Sequence, residues 1–276
     1  MNRWWACAVA GLLAGVTAPA VGHAQTFELF GPDRSRSRHE STQNFLVELR
    51  GGPWYPDTDA EFNGRATPFR DMFGTTDRLM LGAEFDWQFL RVNPVGSLGV
   101  GVGVGYTSAS AVAPLTQSPM PAAGSWERPA DGQQTSLEVI PGYVVAVVRI
   151  DVLARRTVIP LVPYVKYGVG YAYWWITNGD ALARRSVALS QGASATDSDL
   201  GQAATGGTLG MHLAAGLMLR LDVFEPAVQR AWDQQMGVNH SYIFAEYVRS
   251  DLSGLGSRPQ LRLGTETWNV GLAMEF

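Results

Sequence analysis

Lysine and cysteine are almost absent from this sequence. Its 276 residues include one cysteine, Cys7, and a single lysine, Lys166. One cysteine excludes an internal disulfide, and Cys7 lies in a segment that we predict to be removed, which leaves no thiol chemistry. Charged residues make up only 17 % of the chain, whereas about a quarter is usual for a soluble domain.

Long apolar runs are also missing after the N-terminus. At the N-terminus itself, a basic residue, Arg3, precedes an apolar stretch, Trp4–Val16, and small residues lead up to Gln25. This order is typical of a secretory signal peptide, predicted at 1–24. The stretch is shorter than the ~20 residues of a transmembrane anchor, and no later stretch could form a membrane-spanning helix. The formal net charge of −4 gives no basic surface for nucleic acid.

Glycine, in contrast, is abundant, with 31 residues, and it recurs where apolar residues alternate with small or charged ones. A period of two residues indicates β-strands. In most of these segments the charged residues share a face with glycine, while Leu, Val and aromatic residues occupy the other face. The eight segments are 45–51, 77–89, 97–106, 136–147, 161–175, 208–219, 240–248 and 267–276. In 136–147 the apolar face, opposite Glu138, comprises Leu137, Val139, Tyr143, Val145 and Val147. In 161–175 the apolar face is aromatic and includes Tyr167, Tyr171 and Tyr173.

This division of faces is typical of a transmembrane β-barrel, with lipid outside and small polar residues inside. A soluble β-sandwich also alternates, but the glycine face of 97–106 could not fill a sandwich core. Because backbone groups in lipid must all be paired, the sheet has to close. We predict an all-β fold, a closed antiparallel transmembrane β-barrel of about eight strands over 43–276, preceded by a flexible periplasmic segment at 25–42.

The connections between these segments alternate in length. Long connections at 55–76, 107–134 and 176–205 are predicted to be extracellular, and short ones at 91–95 and 154–158 to be periplasmic. The connection at about 222–239 breaks the rule. Pro226 suits the start of a helix there and Gly237 its end, so we predict one short periplasmic helix.

The barrel interior is predicted to hold a network of charges around Lys166. An eight-stranded barrel is just wide enough for side chains to fill. A buried lysine without a counter-charge would cost several kcal/mol or lose its proton, so we expect Lys166 to pair with Glu84, Glu246 or Glu48 and to act as a structural cation. A pore-lining cation for an anionic solute is the alternative. The predicted network comprises Lys166, Glu84, Glu48, Glu246, Arg50, Arg78 and His212, on a face that also holds Asp86, Glu138 and Glu275.

The C-terminal segment alternates up to the last residue. Outer-membrane barrels are similar in this respect, since their last strand carries a terminal aromatic residue on an apolar face that the barrel-assembly machinery reads. The predicted assembly signal consists of Trp268, Val270, Leu272, Met274 and Phe276.

Several stretches together resemble a family, the small outer-membrane β-barrel proteins found mainly in myxobacteria and related groups. They include VELRGGPWYP (47–56), LGAEFDWQFL (81–90), PLVPYVKYGVGYAYWW (160–175) and GVNHSYIFAEY (237–247). The architecture is also similar to OmpA- and OmpW-type barrels. The resemblance implies a single barrel and brings no catalytic residues with it.

The function predicted from the sequence is a structural or surface-exposed, porin-like barrel in the outer membrane of a Gram-negative cell envelope. A narrow channel for small solutes and a lipid-modifying enzyme are the alternatives. His240 and Ser241 are adjacent on one strand and therefore point to opposite faces, so we predict no enzyme activity. We also predict no cofactor and no metal. The expected partners are outer-membrane lipid and the barrel-assembly machinery. The sequence does not indicate which external ligand, if any, the barrel binds.

Overall fold

A computed structural model describes residues 25–28, 44–93, 95–112, 128, 132, 134–156, 159–178, 181–182, 204–221, 238–255 and 261–276. Four predictions fall wholly or largely outside these residues. They concern the signal peptide, the segment at 25–42 apart from its first four residues, the helix within 222–239 and the long connections at 107–134 and 176–205.

Ten strands form one sheet in the described part of the chain. Alternation of apolar with small or polar residues produces the long strands, because it suits a sheet whose two faces meet different surroundings. The strands are β1 Gln25–Glu28, β2 Phe45–Trp54, β3 Arg78–Asn93, β4 Gly96–Val112, β5 Gln134–Arg149, β6 Leu161–Asn178, β7 Ala181–Leu182, β8 Thr205–Arg220, β9 His240–Asp251 and β10 Thr265–Glu275.

Eight of these strands close into an antiparallel barrel. Each pairs with its neighbour in the chain, β7 being skipped, and β10 pairs with β2 to close the ring. The two short strands lie outside the ring, with β1 parallel to the end of β3 and β7 beside the end of β6. The predicted fold class, a closed barrel of eight antiparallel strands, is confirmed.

The two ends of the barrel differ. At the terminus end, the amide of Phe276 donates to the Phe45 carbonyl (2.8 Å) and the amide of Asn44 donates to the Phe276 carbonyl (3.0 Å), which seals the seam. A helical turn at Val152–Arg156 joins β5 to β6 there. The loop end carries a 3-10 helix, Asp57–Phe62, and a short α-helix, Pro68–Phe73. None of the described helices combines the length and apolar character needed to cross a membrane.

The outer face of the barrel is apolar on every long strand. Leu79 and Trp268 are 66 % and 63 % exposed. Aromatic pairs lie near both ends, Trp87 with Phe89 at the terminus end and Tyr247 with Trp268 at the loop end. The aromatic face predicted for β6 points outward, as do the alternating residues of β10.

One strand was predicted with its faces reversed. The apolar residues buried on β5 are Leu137, Val139, Val145 and Val147, whereas Val144 is half exposed. Glu138, predicted inside, instead accepts a hydrogen bond from the outward Tyr106 hydroxyl (3.2 Å). The lumen beside β5 is apolar near the loop end, so this strand has apolar residues on both faces and alternation cannot orient it.

An apolar group fills the lumen near the loop end. Phe69, on the helix Pro68–Phe73, packs edge-on against Trp54 and Tyr55 at centroid distances of 6.1 and 5.2 Å. The Asp59 carboxylate holds this helix by accepting from the amides of Phe69 (2.8 Å) and Arg70 (3.1 Å). The buried members of this apolar cap are Trp54, Phe69, Ala109, Leu137, Val139, Ala172, Leu252 and Leu263.

A basic side chain ties the cap to the connection before β10. Arg262 Nη2 lies 2.9 Å from Asp57 Oδ2, and the Thr58 hydroxyl donates to the Arg262 carbonyl. Burial raises the pKa of the Asp57 carboxyl, and the Arg262 guanidinium opposes that rise.

Glycines on β4 make room for large side chains from β5. A Cβ at Gly103 would overlap the ring of Tyr143. We expect Gly103→Leu to lower the free energy of unfolding by ~1–3 kcal/mol, the usual cost of overpacking. Urea unfolding in lipid vesicles measures the change. Val104→Leu, on the outward face of the same strand, is the matched control and should be close to neutral; equal stabilities of the two variants would contradict this packing.

Candidate functional site in the barrel lumen

A cluster of charges lies in the middle of the lumen, where neighbouring strands bring two carboxylates together. Glu48 of β2 and Glu84 of β3 are register partners, and both are fully or almost fully buried. Like charges directly opposite each other destabilise a sheet, so this pair requires cations. The central cluster is defined here as Glu48, Arg50, Glu84, Asp86, Lys166 and Glu246.

Lys166 reaches this pair from β6, across the lumen. Its Nζ lies 2.7 Å from Glu48 Oε2 and 2.8 Å from Glu84 Oε1, and the side chain has no exposed surface. Lys166 therefore bridges the two glutamates that the strand register forces together. Of the three glutamates expected as its partners, Glu246 is held by a different cation.

That cation is Arg50, two residues after Glu48 on the same face of β2. Its guanidinium contacts both Glu48 and Glu84, and Nη1 lies 2.6 Å from Glu246 Oε1 on β9. The rings of Tyr143 and Phe244 lie 5.8 and 5.6 Å from the guanidinium carbon, close enough for cation–π attraction. Arg50 thus links three strands and is enclosed by aromatic surface.

Two tyrosine hydroxyls and an amide complete the hydrogen bonding. Tyr143 donates to Glu84 Oε2 (2.6 Å) and Tyr164 to Glu246 Oε2 (3.0 Å). The side-chain amide of Asn269 lies 3.4 Å from Glu246 Oε1. Alternation along the strands does not predict these hydrogen bonds, and it wrongly assigns Tyr143 to the outer face of β5. The glycine opposite Tyr143 on β4 is the one signal that could have located its ring inside.

Two residues of the predicted network have other partners. Arg78 lies at the first position of β3 and donates to the backbone carbonyls of Phe73 and Thr76. At the barrel rim these carbonyls are nearer than the central carboxylates. His212 is buried, but its ring stacks on that of Tyr143 at a centroid distance of 4.0 Å and an interplanar angle of 6°. His212 therefore packs against an aromatic neighbour of the cluster, and no ion pair with a cluster carboxylate is seen among the described residues.

Layers on either side of the central cluster fill the lumen further. Towards the terminus end lies an apolar layer, and beyond it Glu275 is approached by Arg91 and Arg149, each at 3.4 Å, and accepts a hydrogen bond from Tyr242 (2.6 Å). The apolar layer consists of Leu46, Val162, Tyr164, Met218, Tyr242, Phe244 and Ala273.

A cavity of about 40 Å³ separates the central cluster from the apolar cap. Arg50, Tyr143, His212 and Asn269 lie on its polar side, and Trp54 lies towards the cap. This volume suits a few water molecules, since a single water needs only about 10–15 Å³ by this kind of measure. The cavity is far smaller than the ~300 Å³ or more of a typical small-molecule pocket.

The other candidate residues lie on two separate parts of the barrel. His240 is buried at the terminus end and Ser241 follows it on the alternate face of β9, so the two do not form a nucleophile–base pair. Trp268, Val270, Leu272 and Met274 all point outward.

No family model matches the sequence, and no curated protein matches it. Among solved structures, Ail of Yersinia pestis in complex with the heparin analogue sucrose octasulfate is 13 % identical, with a TM-score of 0.39 and coverage of 85 % of this chain and 97 % of that chain. OprG of Pseudomonas aeruginosa is 11 % identical, with a TM-score of 0.44 and coverage of 86 % and 97 %.

A third structure is that of the outer membrane enzyme PagL, 13 % identical, with a TM-score of 0.32 and coverage of 83 % of this chain and 97 % of that chain. Similarities at this level do not bear on the activity of this chain. Its fold follows from the strand pairing described above.

Removing the charge of Lys166 should destabilise the barrel. Lys166→Met leaves two buried glutamates with one cation fewer, and breaking a buried pair costs ~3–5 kcal/mol. Adding Glu84→Gln should recover part of the loss, because one of the two stranded charges is removed. A double-mutant cycle on urea unfolding in lipid vesicles measures both effects.

An exposed ion pair on the same barrel provides the control. Arg249 Nε lies 3.1 Å from Glu266 Oε1, and both side chains are more than half exposed. Arg249→Met should therefore cost only ~0–1 kcal/mol. If Lys166→Met costs no more than Arg249→Met, Lys166 does not stabilise the lumen.

Proposed function

We propose that this protein is an integral outer-membrane β-barrel with a structural or surface-exposed role, and that its lumen does not conduct solutes. The observation that carries the proposal is the filled interior: an apolar cap, a central charged cluster and an inner apolar layer follow one another along the barrel axis. A conducting barrel of this kind would need a continuous polar path, and these layers interrupt it.

The outer surface supports a membrane location. Every long strand exposes apolar side chains, such as Leu81, Val102, Tyr167 and Leu272, all at least half exposed. A soluble monomer rarely exposes such a continuous apolar surface to water, whereas a barrel in a bilayer exposes it to lipid. The aromatic pairs near both ends suit the two membrane interfaces. The predicted signal peptide and the resemblance to small barrels of myxobacteria agree with this location.

Conductance in planar lipid bilayers tests the closed lumen. The wild-type barrel should insert without discrete current steps, because charged and apolar side chains occupy its interior. Tyr143→Ala, which removes a ring beside the central cavity, serves as a variant with a widened lumen. Reproducible steps from the folded wild-type protein, altered in size by Tyr143→Ala, would contradict the proposal and favour a narrow channel.

Under this proposal, assembly of the barrel in the membrane depends on Phe276. Phe276 is half buried at the seam, and its backbone bonds to Phe45 and Asn44. Deleting Phe276 should slow insertion and leave periplasmic aggregates, because both the terminal aromatic ring and the closing hydrogen bonds are lost. The amount of heat-modifiable folded barrel measures this.

Two substitutions separate the contributions of Phe276. Phe276→Ala removes only the ring, and Phe276→Trp keeps an aromatic residue. Normal amounts of folded barrel from both the deletion and Phe276→Ala would rule out an assembly role for this residue.

A further inference from the structure

The central cluster contains more carboxylates than cations. It holds four carboxylates, Glu48, Glu84, Asp86 and Glu246, against Arg50 and Lys166, and all six side chains are buried. With every group ionised, two negative charges have no counter-charge among the described residues of the cluster. Burying an uncompensated ion is costly, so the cluster requires further positive charge.

Asp86 marks where that charge is needed. The residue has no exposed surface, and neither carboxylate oxygen has a hydrogen-bond donor among the described residues. Glu48 Oε1 also has none. Carboxylate oxygens of Glu48, Glu84 and Asp86 lie within 4.8 Å of one another. Three buried acidic side chains therefore converge, and two of them, Glu48 and Asp86, have oxygens that the cations of the cluster do not contact.

The neighbouring strand gives these acidic side chains room to converge. Gly101 of β4 is the register partner of Asp86, and a Cβ there would overlap Asp86 Oδ1 and lie 2.8 Å from Glu84 Oε1. Any larger residue at this position would displace the two carboxylates, so glycine allows them to lie together. Lys166 contacts Glu48 through Oε2, which leaves Oε1 of the same group available.

We propose that Glu48, Glu84 and Asp86 together bind a hard divalent cation inside the barrel. Carboxylate oxygens are the ligands that such cations prefer, and two positive charges balance the excess of the cluster. Lys166 and Arg50 contact Glu48 through Oε2 alone, so Glu48 Oε1 and both oxygens of Asp86 are open to the ion. Glu84 Oε1 lies 2.8 Å from Lys166 Nζ, so the ion shares this oxygen with Lys166. Because side chains enclose the site on both sides, the ion enters as the barrel folds.

Refolding with Ca²⁺ as the probe tests this site. The full chain, stripped with a chelator, is refolded into zwitterionic lipid vesicles in CaCl₂, in MgCl₂ or in NaCl of matched ionic strength. After free ion is removed, elemental analysis measures the bound metal, and urea unfolding measures stability. We expect one divalent ion per barrel and a higher unfolding midpoint in CaCl₂ or MgCl₂ than in NaCl.

Asp86→Asn is the discriminating variant, because it keeps the shape of the side chain and removes the charge. It should weaken Ca²⁺ binding by about tenfold or more, the scale on which even supporting residues affect metal sites. The control, Glu266→Gln, removes an exposed carboxylate on β10 and should leave binding unchanged.

Two results would overturn the proposal. One is a wild-type barrel that retains no divalent ion and unfolds at the same urea concentration in all three salts; bound protons would then supply the missing charge. The other is equal Ca²⁺ retention by the wild-type protein and Asp86→Asn, which would place the ion on the protein or lipid surface.

Discussion

The interior of this barrel depends on two glutamates that the strand register places opposite each other. Glu48 and Glu84 cannot move apart without changing the pairing of β2 with β3. Their repulsion is relieved by Lys166, which comes from β6 across the lumen, and by Arg50, which also binds Glu246 on β9. The same ion pairs that neutralise the glutamates therefore connect opposite walls of the barrel and fill its centre.

The inner and outer faces of the strands carry different side chains. Small residues such as Gly101 and Gly103 of β4 leave room inside for charged and aromatic side chains from neighbouring strands. The outward positions of the same strand carry Val and Tyr that are about half exposed. An interior that holds a dense ion-pair cluster and an exterior that suits lipid are two results of one alternating pattern.

Much of the fold could be predicted from the sequence, because a period of two residues reports directly which side chains share a face. It located all eight barrel strands and placed Lys166, Glu48 and Arg50 on one side. It failed on β5, where apolar residues occupy both faces because the lumen there is apolar. It also placed Arg78 in the network, although this residue lies at the rim and donates to the backbone carbonyls of Phe73 and Thr76.

The pairing of individual charges could not be predicted. Which glutamate meets Lys166 depends on the register between strands far apart in the sequence, and alternation within a strand does not contain that information. The assignment of Glu246 to Arg50 and of Glu48 and Glu84 to Lys166 became visible only with the strands in place. The contribution of Tyr143 depends on the same register, through the glycine that faces it.

The presence of a single lysine makes the central claim directly measurable. In protein labelled with ¹⁵N-lysine, the side-chain ammonium of Lys166 gives the only lysine Nζ signal. If Lys166 is buried between Glu48 and Glu84, its ammonium hydrogens should exchange slowly with water and the signal should be visible at neutral pH. Hydrogen exchange as fast as that of free lysine would show that water reaches Lys166, and would contradict a lumen closed by this ion-pair cluster.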